Sequence, residues 1–310
     1  MKALVGYTGF VGSNLYGSGE FDAGYNSKNI QEAFGLEPEL LVYAGLRAEK
    51  YLANRFPQKD LALIEEAERN LERIRPRRLV LISTVDVYRN PTGADEDTRI
   101  RTEDLSPYGA NRYLLEEWVR GNFPEALIVR LPGLFGRNLK KNFLYDYLHR
   151  IPFMLKAEKF QEFSEVFPEL EVYYEKLDNG FYRCRQLEAE EEKRLKEIFR
   201  QLNFSALNFT DSRSIFQFYP LNRLWGDIRT ALDQGIRLWN PATEPVSAAE
   251  VYHFLTGRTF VNELSAEPVH YDYRTKYAEC FGGKDGYIMT KEQVLGEILA
   301  FVSEEERRKG

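Results

Sequence analysis

From the N-terminus to Phe135, short apolar runs alternate with stretches whose apolar residues recur at helical spacing, the pattern of a parallel sheet covered by helices on both faces. Four runs read as strands: Ala3 to Gly6, Leu40 to Ala44, Leu79 to Ile82 and Leu127 to Leu131. Each is followed within a few residues by glycine, proline, serine or threonine. Open α/β sheets bind ligands beyond the carboxyl ends of their strands, so a site is expected at these junctions. Between Leu61 and Ile74 the residues Leu61, Ile64, Ala67, Leu71 and Ile74 fall at steps of three and four, which predicts an amphipathic helix. Ser106 and Pro107 read as the N-cap and first residue of a helix through Tyr108, Leu115 and Val119 that Gly121 would end. A brief second strand ending at Tyr25 and Asn26 leaves a short connection to Leu40, so the first half of the sheet is expected to be abbreviated.

Past residue 155 the chain becomes charged, aromatic-rich and helical in its spacing, notably at Leu187, Leu195, Ile198 and Leu202. This segment reads as an insertion or part of a second domain. The run Glu188 to Glu192 has no histidine beside it and reads as a solvated helix face, not a metal site; no metal is expected elsewhere. Glu304 to Gly310 reads as a frayed helix end.

Composition narrows the class. A chain of 310 residues with 43% hydrophobic and 29% charged residues has enough apolar surface for one large domain or two smaller ones. Its formal charge of -6, mixed in sign along the chain, favours neither nucleic acid nor an anionic membrane as partner. Cys184 and Cys280 form no CxxC or Cys/His spacing, which excludes a disulfide framework and gives no zinc signature. A strand starting at Ala3 leaves no room for the apolar region of a signal peptide, and no apolar stretch is long enough for a membrane span. A cytoplasmic location is expected.

Chemistry first enters at Gly6, Gly9 and Gly12, the run "GYTGFVG" directly after a strand and opening a helix. Glycines there permit a tight turn, bring backbone N–H groups against a pyrophosphate and let the helix pack closely on the strand. Dinucleotide folds usually carry an acidic residue after the second strand for the ribose hydroxyls, but this chain has Asn26, Ser27 and Lys28. A neutral and then cationic pair suits a 2'-phosphate, so NADP is expected over NAD; a surface turn is the other reading of the same residues.

The blocks "GYTGFVGSNL", "LLVYAG", "LVLISTVDVY", "SPYGANR" and "IVRLPGLFG" occur here in the order in which extended short-chain dehydrogenase/reductases carry similar blocks. Weaker similarity continues through "RSIFQFYPLNRLWGDI" and "WNPATEPVSAAEVY". The chain thus resembles that family, which includes nucleotide-sugar epimerases, dehydratases and reductases. The resemblance implies an α/β fold, a Rossmann-like doubly wound parallel sheet with a smaller, mostly helical C-terminal substrate domain. It implies a dinucleotide-binding domain over 1–150 with contributions from about 206–245, a helical insertion at 151–205 and a substrate domain at 246–310. The cofactor would be held by Gly6, Thr8, Gly9, Phe10, Val11, Gly12, Asn26, Ser27, Lys28, Ala44, Gly45, Leu46, Ser83 and Pro132.

In the family a tyrosine and a lysine four residues later share a helix face, with a serine or threonine at the preceding strand end. The matching positions here are Tyr108, Arg112 and Thr84. A free phenol is a poor base at neutral pH, and an adjacent fixed cation favours its phenolate. Thr84 would hydrogen-bond the substrate oxygen while Tyr108 passes the proton. Asp86 matches an acid/base position of the dehydratases, although Val85 stands where those enzymes have a second carboxylate; capping a loop is its alternative role. Arg112 departs from the lysine, keeping the charge in a bulkier, planar group. It would serve either as a working substitute or as the mark of a lost redox step.

On the substrate side, Arg137, Asn138, Lys140, Lys141 and Asn142 follow a strand end where cations and amides suit a diphosphate. Of these, Asn138, Lys141 and Asn142, together with Arg213, which lies near the family's diphosphate arginine, are the expected substrate contacts. His149, His253 and His270 lie outside every block and read as structural. The expected partner is a small-molecule nucleotide sugar, and pairing through the helices Leu61 to Ile74 and Tyr108 to Arg120 would give a homodimer. Two functions remain: an oxidoreductase, epimerase or dehydratase, and a non-catalytic dinucleotide sensor or scaffold.

Overall fold

The computed structural model describes residues 1–178 and 180–309. It divides into two units: Met1–Leu139 with Ile215–Val246 and Val269–Phe301, and Lys140–Ser214 with Ser247–Pro268 and Val302–Gly310. Three of the expected boundaries move. The first unit ends at Leu139, before residue 150; the second takes 140–214 in place of 151–205; and 269–301 returns to the first unit because its backbone pairs there, as Tyr271 N does with the Ile215 carbonyl at 3.0 Å.

The first unit holds β1 (Lys2–Val5), β2 (Ala23–Tyr25), β3 (Leu40–Tyr43), β4 (Leu79–Thr84) and β5 (Leu127–Leu131). With Leu238–Trp239 they form one six-stranded sheet in the order Leu238–Trp239, β5, β4, β3, β1, β2, and every pairing is parallel. All five residues of β5, the charged Arg130 among them, and all four of β3 are buried, as strands covered on both faces require. The chain passes from β1 to β2 on one side and to β3 on the other, which makes the carboxyl ends of β1 and β3 the switch point of the sheet.

Between β2 and β3 the crossover is only a 3-10 turn at Ile30–Ala33, the expected abbreviation. The next crossover carries α1 (Phe10–Tyr16)'s counterparts across the sheet, α2 (Lys50–Arg55) and α3 (Pro57–Ile74), and α4 (Pro107–Asn122) follows β4. Pro57 and Pro107 open their helices where no intrahelical donor is needed, and the Ser106 hydroxyl accepts from Gly109 N at 3.4 Å. Ile64, Ala67, Leu71 and Ile74 of α3 and Leu115 and Val119 of α4 share one core with Leu41, Tyr43, Leu81 and Ile128. The apolar stripes of both helices are thus spent on their own sheet.

The second unit has its own core, including Leu155, Phe160, Phe163, Leu170, Leu195, Ile198 and Phe199. Beside its helices it holds strands that the helical spacing did not announce: Met154–Lys156, Phe181–Cys184 and Tyr174–Lys176 form a three-stranded antiparallel sheet, in runs too short to show the period of two. Glu188 caps the helix Ala189–Gln201 in a reciprocal pair with Glu191, which accounts for the acidic run. The last helix runs Lys291–Lys309, so the tail expected to fray is helical as far as it is described; Gly310 lies outside the described residues. Among the described residues no helix is long and apolar enough to cross a membrane, and no cluster of His, Cys, Asp or Glu could hold a metal ion.

Asp146, in α5 (Phe143–His149) of this unit, has its carboxyl pushed up to about 7 by burial. A folded-state value above the unfolded one means that the native chain holds the extra proton. The contribution of this group to stability is therefore greatest below about pH 4 and is lost as pH rises toward 7. Asp146→Asn should remove that decline and raise stability at pH 8 by about 2 kcal/mol, a figure discounted for residual solvent screening, while changing little at pH 4. Chemical denaturation at the two pH values checks it; equal effects at both would show that charge is not the cause.

Candidate active site

The turn after β1 is built as its glycines require. Gly6 has φ +89, and a Cβ on it would lie 2.3 Å from the Ala44 carbonyl oxygen; one on Gly12 would lie 2.0 Å from that of Gly6. Both contacts are with backbone, so neither position accepts a side chain without moving a strand end or the helix. Gly9 N donates to Gly6 O at 2.9 Å. Gly9 is the N-cap of α1 and supplies no side-chain cap, which leaves the first-turn amides of Phe10, Val11 and Gly12 without an intrahelical acceptor. Thr8 and Gly9 are exposed, and Ala44, Gly45 and Leu46 follow the neighbouring β3. After β2, Asn26 Oδ1 accepts from Lys28 N at 2.9 Å and Asn29 Oδ1 accepts from Asn26 N at 2.8 Å. This leaves Ser27 and Lys28 exposed on a turn held by asparagines.

At the carboxyl ends of β4 and β5, a cavity of about 240 Å³ is lined by Lys50, Thr84, Asp86, Pro132, Tyr271 and Tyr273, among others. The structure thus brings together Thr84, Asp86 and Pro132 of the expected residues. Thr84 Oγ1 accepts from Asp86 N at 3.2 Å, turning the chain out of β4. The first turn of α4 packs closely against that corner: a Cβ on Gly109 would lie 2.3 Å from the Asp86 carbonyl oxygen. Tyr108 N donates to Asn54 Oδ1 at 3.0 Å. The Tyr108 phenol is raised above its ordinary value by burial first, with Asp86 and Asp60 adding to the rise and Arg112 and Lys50 opposing it.

Arg112 lies 4.5 Å over the Tyr108 ring, on the helix face its spacing implied, but its guanidinium is committed elsewhere. Only 3% exposed, it donates to both carboxylate oxygens of Asp60 at 2.8 and 3.0 Å and to the Arg47 carbonyl at 2.7 Å. Asn111 joins the same carboxylate at 2.9 Å. This clamp fixes α4 to the start of α3; Asp60 carried no motif that could have announced it.

Ser83 faces away from the cavity. Its hydroxyl donates to the fully buried Glu116 at 2.5 Å, because alternate residues of a strand point to opposite faces and Thr84 takes the site face. Behind the sheet, Arg130 donates to Glu116 at 2.6 Å and to the Tyr88 hydroxyl at 2.8 Å.

Sequence reasoning missed Lys50, Asn54 and Tyr271. Lys50 Nζ donates to Asp86 Oδ1 at 2.7 Å, and the Tyr271 hydroxyl donates to the same oxygen at 3.3 Å. The only signal for Lys50 was its place a few residues beyond a strand end; Tyr271 had none, since it comes from 185 residues further along the chain.

The expected substrate residues are mostly engaged within their own units. Asn138 donates to Ser13 Oγ at 3.3 Å in the first unit. In the second, Asn142 caps α5 by accepting from Leu144 N and Tyr145 N, Lys141 is exposed, and Arg213 pairs with Asp211 at 2.8 Å and with the Ser265 carbonyl at 2.7 Å. His149 lies in that unit, its Nδ1 3.0 Å from the Tyr145 carbonyl oxygen.

No protein-family model and no curated protein matches the chain. Solved structures do. One is a short-chain dehydrogenase/reductase superfamily protein from Agrobacterium tumefaciens with bound NAD, 16% identical, with a TM-score of 0.63 over 100% of this chain and 98% of that one. Another is the dTDP-4-dehydrorhamnose reductase of Bacillus anthracis str. Ames in complex with NADP, 14% identical, with a TM-score of 0.61 over 98% of this chain and 97% of that one. A UDP-galactose 4-epimerase is 12% identical, with a TM-score of 0.58 over 99% of each chain. With its strand order, its glycine turn and this likeness over nearly the whole length, the chain has the fold of the extended short-chain dehydrogenase/reductases.

Proposed function

We propose that this chain is a nicotinamide-dinucleotide-dependent enzyme that oxidises, reduces, epimerises or dehydrates a nucleotide-activated sugar, with NADP favoured over NAD. The observation that carries the reading is the gathering of Thr84, Asp86 and Pro132 around one cavity at the strand ends, with Tyr108 outside its lining but near enough to feel the charges of Asp86 and Lys50. The uncapped amides of Phe10, Val11 and Gly12 after the glycine turn suit a pyrophosphate, and exposed Ser27 and Lys28 suit a 2'-phosphate. The similar structures with NADP or NAD bound support the same cofactor class, and the reductase and epimerase among them support the substrate class.

When bound, the dinucleotide would accept or supply hydride. The chain's own part is to hold the reacting oxygen and move one proton. Thr84 would donate to that oxygen, and the Tyr108 O–H would break as its proton passes to it in the reductive direction. Burial keeps the phenol protonated at neutral pH, which suits it to the role of acid. Asp86 is the candidate second acid/base group. Lys141, with Asn138, Asn142 and Arg213, stays proposed for the diphosphate.

A second reading, a non-catalytic dinucleotide sensor or scaffold, is favoured by the clamp of Asp60 on Arg112. Both readings expect cofactor binding. Fluorescence titration with NADPH and NADH should give at least about tenfold tighter binding of NADPH, worth about 1.4 kcal/mol; equal affinities would refute the preference, and no binding of either would refute both readings. A panel of nucleotide sugars followed at the reduced-nicotinamide absorbance band then separates turnover from sensing.

A further inference from the structure

The family-like position for a site cation is occupied by Arg112, yet Arg112 is enclosed by Asp60 and the Arg47 carbonyl, with three hydrogen bonds at 2.7 to 3.0 Å. A second cation stands on the other side of the cavity corner. Lys50, the first residue of α2, is half-exposed, with 48% of its side chain accessible, and its ammonium reaches Asp86 Oδ1 at 2.7 Å. The hydrogen bonds of Lys50 and Tyr271 converge on that one carboxylate oxygen. Oδ2 of Asp86 has no hydrogen-bond partner among the described residues. The same cavity is lined by Tyr273, which is fully buried and whose hydroxyl has no hydrogen-bond partner among the described residues, so a ligand oxygen there would satisfy it.

We propose that Lys50 is the positioning cation of this acid–base group: with Tyr271, its ammonium fixes the Asp86 carboxylate in one orientation at the cavity, while the Arg112 guanidinium is spent on Asp60. The inference rests on the dinucleotide-dependent reading of the site. The titratable and charged groups that surround Lys50 are Asp86 and Tyr271 in contact, and Tyr108 with the Arg112–Asp60 pair behind it. Partial burial works against the charge of Lys50, but Asp86 and then Tyr271 outweigh it and raise the ammonium above its ordinary range. An opposite charge at this separation favours the ammonium form of Lys50. Lysine suits the task because its ammonium is a compact point charge with three rotatable donors, able to follow the carboxylate as a substrate exchanges hydrogen bonds with it.

The full-length chain and its Lys50→Met, Lys50→Arg and Asp86→Asn variants test this. NADPH binding, followed by fluorescence, should change by less than threefold in Lys50→Met. In the apo protein, ¹³C-dimethylation and NMR should show the Lys50 resonance titrating above ordinary lysines, and its proton affinity should fall about tenfold or more in Asp86→Asn. With a nucleotide sugar that the wild type turns over, Lys50→Met should lower kcat about 100-fold with KM within threefold. Lys50→Arg should restore part of the rate. A Lys50 that titrates like an exposed lysine, or a Lys50→Met enzyme with an unchanged kcat, would overturn the proposal. Failure of the wild type to bind NADPH would instead overturn the functional reading beneath it.

Discussion

Tyr108→Phe should lower turnover of a nucleotide sugar by about 10²- to 10⁴-fold, the usual contribution of a positioned acid or base, while the melting temperature and the stabilisation by NADPH stay as they are. The substitution removes a single oxygen. The ring that carries it is 6% exposed, lies under the Arg112 guanidinium and is fixed through its backbone N–H to Asn54, and phenylalanine keeps every one of those contacts. The turn after β1, proposed to hold the dinucleotide, is a separate segment that the substitution leaves unchanged. Parallel thermal-shift and steady-state measurements decide the matter: a variant that keeps wild-type kcat, or one that loses dinucleotide binding together with activity, would mean that Tyr108 is a packing residue.

The largest effect on stability should come from Glu116→Ala. Glu116 is 0% exposed and lies between Arg130, itself 1% exposed, and the Ser83 hydroxyl. Removing the carboxylate leaves the Arg130 charge enclosed with the Tyr88 hydroxyl as its remaining partner, at a cost of about 3–5 kcal/mol and a fall in melting temperature on the order of 10 °C. Replacing both partners at once, by Glu116→Met with Arg130→Met, should recover most of the loss, since the penalty comes from the uncompensated charge more than from the missing attraction. If the single substitution costs less than 1 kcal/mol in urea denaturation, water reaches Arg130 and the pair is not a buried one.

The strands were legible because burial on both faces favours runs rich in apolar residues: Leu127–Leu131 was expected at the observed limits, its one charge being the buried Arg130, and β1, β3 and β4 differ only at their ends. The N-cap of α4 was equally plain, since a serine before a proline satisfies helix-start chemistry locally. The antiparallel sheet of the second unit was not, because three short strands alternate over too few residues to outweigh the helical spacing around them. Thr84, Asp86 and Tyr108 were expected from the family resemblance, and the structure sets Thr84 and Asp86 at one cavity with Tyr108 nearby, whereas the partner of Arg112 was not foreseen. Spacing along α4 put Arg112 on the face of Tyr108, but whether a guanidinium meets solvent or a carboxylate depends on what another segment presents.

The sequence by itself thus determined the parallel sheet, the glycine turn and the strand-end positions where a cavity opens, since each follows from residues close together in the chain obeying burial and backbone sterics. Only the tertiary structure decided which charges pair. Asp60 captures Arg112 from 52 residues away, and Lys50 and Tyr271 reach Asp86 across 36 and 185 residues. The physical reason is that a charged side chain is indifferent to sequence distance: it pairs with whatever opposite charge the packed core brings within a few ångströms, and no local pattern records which one that will be.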